Sequence, residues 1–133
     1  HSFPTRRSSD LHLFVHGNEQ LLKTALINLM ENGCKFSPDK KVRVSLSFSQ
    51  EDLTTIKITD NGPGIPSEEL PMIFNAFYRS PGTSSVKGSG IGLSLVVSIL
   101  KLHHIDLEVE SKPPDGTTFV LRFPDHKSIG QLT

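Results

Sequence analysis

Two long stretches of the chain carry apolar residues at the three- and four-residue intervals that place them on one face of a helix. The first begins after Asn18, a residue type that favours helix N-caps, and ends at Ser37-Pro38-Asp39. The second spans residues 91–102, and residues 67–70 predict a short helix start between the two. The predicted buried residues are Leu21, Leu22, Ala25, Leu26, Leu29 and Met30 in the first helix, and Leu93, Val96, Val97 and Leu100 in the second.

Other stretches alternate apolar and polar residues, or form short apolar runs, as strands do. They are residues 11–15, 42–48, 53–60, 105–109 and 119–123. The predicted order is strand, helix, two strands, short helix, loop, helix and two strands, with a turn at Pro113–Gly116 between the last pair. This order predicts an α/β two-layer sandwich in which a mixed sheet packs against helices.

The chain length of 133 residues suits one domain. Residues 1–10 resemble a translated sequencing adapter, so we interpret them as a disordered segment foreign to the fold. The alternative is a natural basic arm that uses Arg6 and Arg7. We expect the folded domain over residues 11–124 and a tail or linker over residues 125–133.

Composition narrows the classes of partner. Lys plus Arg number 14 and Asp plus Glu number 14, so bulk charge does not favour binding to nucleic acid or to an acidic membrane. The single cysteine, Cys34, cannot form an internal disulfide, which favours a cytoplasmic location. No apolar stretch approaches the roughly 20 residues needed to span a bilayer, so the fragment itself is not expected to enter the membrane.

The first helix carries a polar stripe beside its apolar face. Asn28, Asn32 and Lys35 lie at helical intervals of four and three residues. Amide oxygens suit Mg²⁺, which takes hard oxygen ligands and keeps several waters, and a lysine supplies a point charge to phosphate. Taken alone, the stripe is better interpreted as a solvated helix face.

Two glycine-bearing segments are the next candidates. Asp60-Asn61-Gly62-Pro63-Gly64 directly follows a predicted strand, and its carboxylate could accept from an amino group such as that of adenine. An ordinary Asp-led turn is the alternative. Residues 88–93, Gly-Ser-Gly-Ile-Gly-Leu, open the last predicted helix, where backbone N–H groups can bind phosphate. Their spacing matches neither a dinucleotide fingerprint nor a P-loop.

A fourth segment, Ile73 to Arg79, precedes a polar loop. Phe74 and Phe77 suit core packing, and Arg79 could reach a phosphate. In order and spacing, the four segments together resemble the motifs of sensor histidine kinase catalytic domains, from about residue 11 to residue 124. The resemblance implies the Bergerat fold shared with topoisomerase, mismatch-repair and chaperone ATPases, ATP and Mg²⁺ as cofactors, and an ATP lid over residues 79–89.

The resemblance also implies roles for individual residues. Asn32 matches the Mg²⁺ ligand, Asn28 the second amide, Lys35 and Arg79 the phosphate-contacting cations, Phe36 the aromatic beside adenine, and Asp60 the adenine-reading acid. The remaining expected nucleotide contacts are Gly62, Gly64, Ile65, Phe77, Gly88, Ser89, Gly90, Ile91, Gly92, Leu93 and, through water, Thr117 or Thr118. Gly33 and His104 depart from the family pattern, which usually has Ala and Gly there. We interpret His103 and His104 as surface or cap residues rather than metal ligands.

The residue at position 28, here an asparagine, distinguishes between the ATP-hydrolysing and the histidine-phosphorylating members of the superfamily. The ATP-hydrolysing relatives carry at this position a Glu that activates water, and an amide cannot act as a base. The resemblance therefore favours transfer of the γ-phosphoryl group of ATP to a histidine, as in two-component signalling. None of the six histidines is followed by an acidic residue and then Pro at the spacing of an acceptor helix.

The expected partners follow from this interpretation. They are a histidine-bearing dimerisation domain and a response regulator, within a homodimeric parent kinase that is cytoplasmic or anchored in the inner membrane. A self-sufficient ATPase and a non-catalytic nucleotide-binding module remain the alternatives.

Overall fold

The computed structural model describes residues 17–48, 54–75 and 92–124. Its helices are α1 (Glu19–Phe36) and α2 (Gly92–Leu102), and its strands are β1 (Val42–Phe48), β2 (Thr54–Asp60), β3 (Asp106–Ser111) and β4 (Thr117–Arg122). Where a short helix start was predicted, a turn leads into a single 3-10 turn, Leu70–Met72. The expected strand at 11–15, the terminal segments 1–10 and 125–133, and the lid at 79–89 lie outside the described residues.

The four strands form one sheet in the order β1-β2-β4-β3. All three pairings are antiparallel, so the described part of the expected mixed sheet contains no parallel pair. The register places Asp60 opposite Val42 on one side and opposite Thr117 on the other. The residues before the Asp60 loop and after the β3–β4 turn are therefore brought to one end of the sheet.

Both helices pack on the face of the sheet that carries Ile58 of β2 and Phe119 of β4. The opposite face carries the exposed ion pair between Arg122 and Glu108, at 2.7 Å. This is the predicted two-layer arrangement, with one core between the layers. The core consists of Ala25, Leu29, Ile58, Ile73, Val96, Ile99, Leu100, Ile105, Phe119, Leu121 and Phe123. Within the described residues, no helix is long and apolar enough to cross a membrane.

The ends of α1 follow from its sequence. The side chain of Asn18 accepts from the backbone N–H of Leu21 at 3.0 Å, which confirms the predicted N-cap. Glu19 lies in the first turn and Lys35 in the last, where each charge complements the helix dipole. Ser37 ends the helix in an extended conformation, as expected before Pro38.

The end of α2 explains one departure from the family pattern. The N–H of Ile105 donates to the carbonyl of Leu100, and that of His104 to the carbonyl of Lys101. This is a Schellman motif, whose left-handed position is usually Gly. His104 occupies that position with φ +58°. His104 is thus a cap residue, as predicted.

His103 was predicted to be a surface or cap residue, and it does not lie at the surface. Its relative exposure is 8%, and both ring nitrogens have hydrogen-bond partners. The sequence pattern missed this because the ring turns back from the helix end towards the start of α1, and that contact spans 85 residues.

β1 was predicted to be half-buried, and it is more exposed than that. Val44, Leu46 and Phe48 share a face with the core residues of β2, yet they are 50%, 51% and 45% exposed. β1 is the outermost strand on its side of the described sheet, and the two helices cover β2, β4 and β3 more fully. Alternation in the sequence identified the strand and the face, but not how far the helix layer extends.

Replacing His104 with glycine tests the cost of the left-handed cap. We expect His104→Gly to raise the free energy of unfolding by about 0.5–1 kcal/mol, because relief of the unfavourable φ exceeds the entropy that glycine adds to the unfolded chain. Chemical denaturation measures the change. Lys101→Gly, at an exposed helical position of α2, is the matched control and should lose about 1 kcal/mol. A loss of stability in His104→Gly would contradict the assignment.

Candidate nucleotide-binding site

Asp60, the last residue of β2, is a buried carboxylate with a relative exposure of 6%. Its Oδ1 accepts from the backbone N–H of Gly62 at 2.8 Å. Burial raises the pKa of Asp60 above its ordinary value of 3.8, and backbone hydrogen bonds from Gly62 and Thr117 oppose that rise. A carboxylate kept from water at the end of its strand is a strong acceptor for a ligand amino group.

Three glycines from three different segments surround Asp60. A Cβ on Gly33 of α1 would lie 3.4 Å from the Cβ of Asp60, and one on Gly62 would lie 3.0 Å from its Oδ1. A Cβ on Gly116, in the β3–β4 turn, would overlap the Asp60 carbonyl oxygen, and the φ of +96° at Gly116 also favours glycine. The loop and the turn approach Asp60 this closely because residues 62 and 116 lack side chains, whereas a Cβ on Gly33 would only be in van der Waals contact with Asp60.

Asn28, the first residue of the polar stripe of α1, lies beside the beginning of α2. Asn28 donates through Nδ2 to the carbonyl of Thr24 at 2.9 Å, which fixes its amide. Its Oδ1 lies 3.8 Å from where a Cβ on Gly92 would be. Asn32 is partly buried, and Lys35 is exposed in the last turn. The structure thus brings Asn28, Gly92 and, through the neighbouring Gly33, Asp60 to one region.

The segment after α1 is tied to the loop after β2. Asp39 accepts from the hydroxyl of Ser37 at 2.5 Å and from the amide of Asn61 at 3.3 Å. The Ser37 hydrogen bond contributes most to lowering the pKa of Asp39. Gly62 approaches the end of α1 so closely that a Cβ there would lie 2.7 Å from the Phe36 carbonyl oxygen. These contacts hold Phe36 and the Asp60 loop side by side.

The other end of the loop rests on the β3–β4 turn. A Cβ on Gly64, at φ +81°, would lie 2.8 Å from the Cα of Pro113. The N–H of Ile65 donates to the hydroxyl of Ser111 at 2.7 Å, and Ile65 packs against the core. Ser111 was not predicted as a site residue, and only its position at a strand end before a turn signals its role. Gly116 was likewise missed, although Pro-Pro-Asp-Gly marked the turn.

The register separates the two threonine alternatives. Thr117 is buried, pairs with Asp60 and shares its face of the sheet. Thr118 lies on the opposite face, where its hydroxyl bonds that of Thr59 at 2.9 Å. Of the two, only Thr117 lies beside the Asp60 carboxylate, since strand residues alternate between faces.

The remaining predicted residues divide into two groups. Leu93 is partly buried against the core at the start of α2. Phe74 packs edge-on against Phe119 with ring centroids 6.4 Å apart, which is the core role expected of it. The candidates outside the described residues are Phe77, Arg79, Gly88, Ser89, Gly90 and Ile91.

An open hollow of about 630 Å³ also lies against α1. Of the candidate residues that the structure describes, it shares only Lys35, and Asn28, Asn32 and Asp60 do not line it. Its lining is Ile27, Met30, Glu31, Cys34, Lys35 and Lys40. Among the described residues, no three His, Cys, Asp or Glu side chains cluster as metal ligands. The assignment of the site is therefore based on the segments that meet around Asp60, and not on this hollow.

Residues 17–127 match the family of histidine kinase-, DNA gyrase B- and HSP90-like ATPases. The chain belongs to this family. The domain is 32% identical over 123 residues to the adaptive-response sensory kinase SasA of Thermosynechococcus vestitus, covering 92% of this chain and 32% of that protein. It is 36% identical over 105 residues to the histidine-protein kinase/phosphatase MprB of Mycolicibacterium vanbaalenii, covering 77% and 22%.

Solved structures agree with the fold. A mycobacterial sensor histidine kinase MprB structure has a TM-score of 0.76 at 34% identity, covering 83% of this chain and 76% of that one. Full-length ShkA in complex with AMPPNP has a TM-score of 0.69 at 23% identity, covering 83% and 22%, and supports the fold alone. The expected Bergerat sandwich and the ATP-binding catalytic domain of a sensor histidine kinase are thereby confirmed. This ATPase-family domain spans about a third or less of the curated relatives cited.

Replacing Asp60 with asparagine separates stability from binding. Because the folded-state pKa of Asp60 lies above 3.8, the folded domain holds this proton more tightly than the unfolded chain does. Stability therefore falls as the pH rises through the raised pKa, and the ionised carboxylate lowers stability at neutral pH. We expect Asp60→Asn to raise the free energy of unfolding of the nucleotide-free domain. It should also weaken ATP binding by about ten- to hundredfold, the effect of a lost charged acceptor.

Asp39→Asn is the matched control with the opposite sign. The pKa of Asp39 is lowered in the fold, so its contribution to stability is present at neutral pH and is lost as the pH falls through that lowered pKa. Asp39→Asn should therefore lose stability at pH 7. Denaturation with and without ATP, together with calorimetric titration, measures both effects. Unchanged ATP affinity in Asp60→Asn would remove Asp60 from the adenine site.

Proposed function

We propose that this domain transfers the γ-phosphoryl group of ATP to a histidine on a dimerisation domain of its parent kinase. The observation that carries the proposal is the fixed amide at Asn28. Its position on α1, held by the Thr24 carbonyl and turned towards Gly92, is where a hydrolysing relative would need a carboxylate. An amide cannot take a proton from water, whereas a neutral imidazole is already a nucleophile.

Glu31 does not replace the missing base. It is exposed and lines the hollow with Ile27 and Cys34, whereas Asn28 approaches Gly92. Asn28 and Glu31 are three residues apart, so they are displaced by roughly 60° around the helix axis. The side chain of Glu31 therefore faces the hollow, and that of Asn28 faces the start of α2. This arrangement supports a kinase over a self-sufficient ATPase.

The residues present fit a nucleotide with Mg²⁺. Asp60 would accept from the adenine amino group, with Thr117 beside it, and Phe36 would lie against the base. Asn32 would supply an amide oxygen to Mg²⁺, and its side chain has no hydrogen-bond partner among the described residues. When bound, Mg²⁺ would neutralise phosphate charge. Lys35, exposed at the end of α1, would add a cation beside the phosphates.

The wider setting is proposed from the same basis. The cited relatives are sensory kinases, of which this chain covers a third or less. We infer a domain over residues 11–124, flanked by an adapter-like segment 1–10 and a tail 125–133. The parent would be a homodimer, cytoplasmic or anchored in the inner membrane, with a response regulator as its downstream partner and no nucleic-acid partner.

A transfer assay tests the reaction. The domain is incubated with Mg²⁺ and ATP labelled at the γ-phosphate, with and without the parent's histidine-bearing domain. We expect label on the added domain and slow release of free phosphate. An acceptor domain with its histidine replaced by glutamine should stay unlabelled. Steady phosphate release without acceptor would instead identify an ATPase, and tight binding with neither outcome would identify a non-catalytic module.

Asn32→Ala tests the metal assignment. We expect ATP to bind the variant with an affinity that no longer rises on addition of Mg²⁺, because the only proposed protein ligand has been removed. Titration calorimetry with Mg²⁺ or with EDTA measures the difference. Gln20→Ala, an exposed amide in the first turn of the same helix, should keep the dependence on Mg²⁺. A variant at Asn32 that keeps it would place the metal elsewhere.

A further inference from the structure

We propose that His103 is a positioning residue for the nucleotide site, which it serves by joining the start of α1 to the end of α2 through its unprotonated Nε2. The proposal rests on the proposed nucleotide site and adds a residue that contacts neither the nucleotide nor the phosphate segments. It also predicts that the site depends on the protonation state of this one imidazole.

The two partners of the ring fix its tautomer. The backbone N–H of Asn18 donates to Nε2 at 3.0 Å, so Nε2 carries no proton. Nδ1 lies 2.8 Å from the carbonyl of Ile99, which can only accept, so Nδ1 carries the proton. His103 is therefore neutral with both nitrogens satisfied, and its residue is 8% exposed.

The space around the ring is fitted to it. A Cβ on Gly17 would overlap Cδ2 of His103 and would lie 2.6 Å from its Nε2. The same Cβ would lie 3.2 Å from Leu22 Cδ1, so α1 closes the other side of this space. Any side chain at residue 17 must displace either the imidazole or the first turn of α1.

This joint lies at one end of an antiparallel helix pair, and the candidate site lies at the other. Asn18 precedes Asn28 by ten residues, and Gly92 precedes His103 by eleven, so each helix spans about 15 Å between the two ends. Asn28 and Gly92 meet at the far end. Between them, Ala25 and Val96 are fully buried. Because close-packed interiors transmit strain, we expect loss of the joint to displace Asn28 relative to Gly92.

Protonation has a defined effect on the joint. A second ring proton would bring an N–H of the imidazolium against the N–H of Asn18, and that hydrogen bond would be lost. Among the described residues, no carboxylate bonds the ring. The charged groups on the adjoining helix ends are the exposed Glu19–Lys23 ion pair in the first turns of α1 and exposed Lys101 in the last turn of α2, and His104 is the next titratable residue along the chain.

Two substitutions at residue 103 separate the two hydrogen bonds. In His103→Gln, Oε1 can accept from Asn18 in place of Nε2 but cannot be protonated near neutral pH. In His103→Asn, the shorter side chain retains a donor near the Nδ1 position and leaves the Asn18 N–H without its acceptor. We expect ATP affinity close to wild type in the glutamine variant at pH 7.5. We expect an affinity roughly three- to tenfold lower in the asparagine variant, as for one lost hydrogen bond.

The pH profile distinguishes positioning from simple support of the fold. The affinity of the wild type divided by that of His103→Gln, measured at each pH, cancels the titration of ATP and of other groups. We expect this ratio to fall in acid, where a protonated Nε2 can no longer accept from Asn18, and the ratio of His103→Asn to His103→Gln to stay flat. Amide hydrogen exchange at Leu21 and Leu22 without nucleotide should rise in the asparagine variant. Gly17→Ala, which displaces the ring without replacing it, should show the same lower ATP affinity and the same faster exchange at Leu21 and Leu22.

The outcomes are separable. Equal ATP affinity in all variants, with wild-type binding intact, would overturn the positioning role and leave the proposed function standing. Faster exchange in the asparagine variant without loss of affinity would make His103 a support of the helix end only, which also overturns it. A wild-type domain that binds no ATP would overturn the proposed function, and this inference with it.

Discussion

Keeping the carboxylate of Asp60 out of water at the end of β2 is the constraint that organises the rest of the domain. An ionised acid can be buried only if donors reach it and side chains are removed from its surroundings. The N–H of Gly62 supplies a donor, and the lack of side chains at Gly62 and Gly116 lets the loop and the turn approach the acid. The first helix, the loop after β2 and the last hairpin turn are thus fixed relative to one another by one residue that is itself costly to bury.

The sequence predicted those parts of the fold that are set by local chemistry. The cap at Asn18 and the alternation in β2 depend on neighbours within a few residues, and both are found, whereas in β4 the burial of Val120 interrupts the expected alternation. The exposure of β1 and the burial of His103 could not be predicted, because they depend on where the helix layer ends and on a contact 85 residues away. In the candidate site, Asp60 and Asn28 were recognisable from motif spacing, whereas Ser111 and Gly116 act through tertiary contacts that the spacing does not encode.

The chemistry inferred for the site follows from what the residue types cannot do. Without a carboxylate at Asn28, the site can hold and orient a triphosphate but has no side chain there to activate water. In the proposed reaction the nucleophile arrives on another domain. Precision must come from the relative placement of α1 and α2, and this makes the distant contact between Asn18 and His103 relevant to the phosphate end of the pair.

Gly33 carries a consequence for the rim of the sheet. A methyl group on Gly33 would overlap Cγ1 of Val42. The side chain of Val42, from the outermost strand, therefore fills the space beside the helix that a side chain at residue 33 would occupy. Val42 also pairs with Asp60 across the sheet. The helical turn that bears Asn32 is therefore packed against β1, whose Val44, Leu46 and Phe48 are about half exposed. A larger residue at position 33 would require a smaller one at position 42.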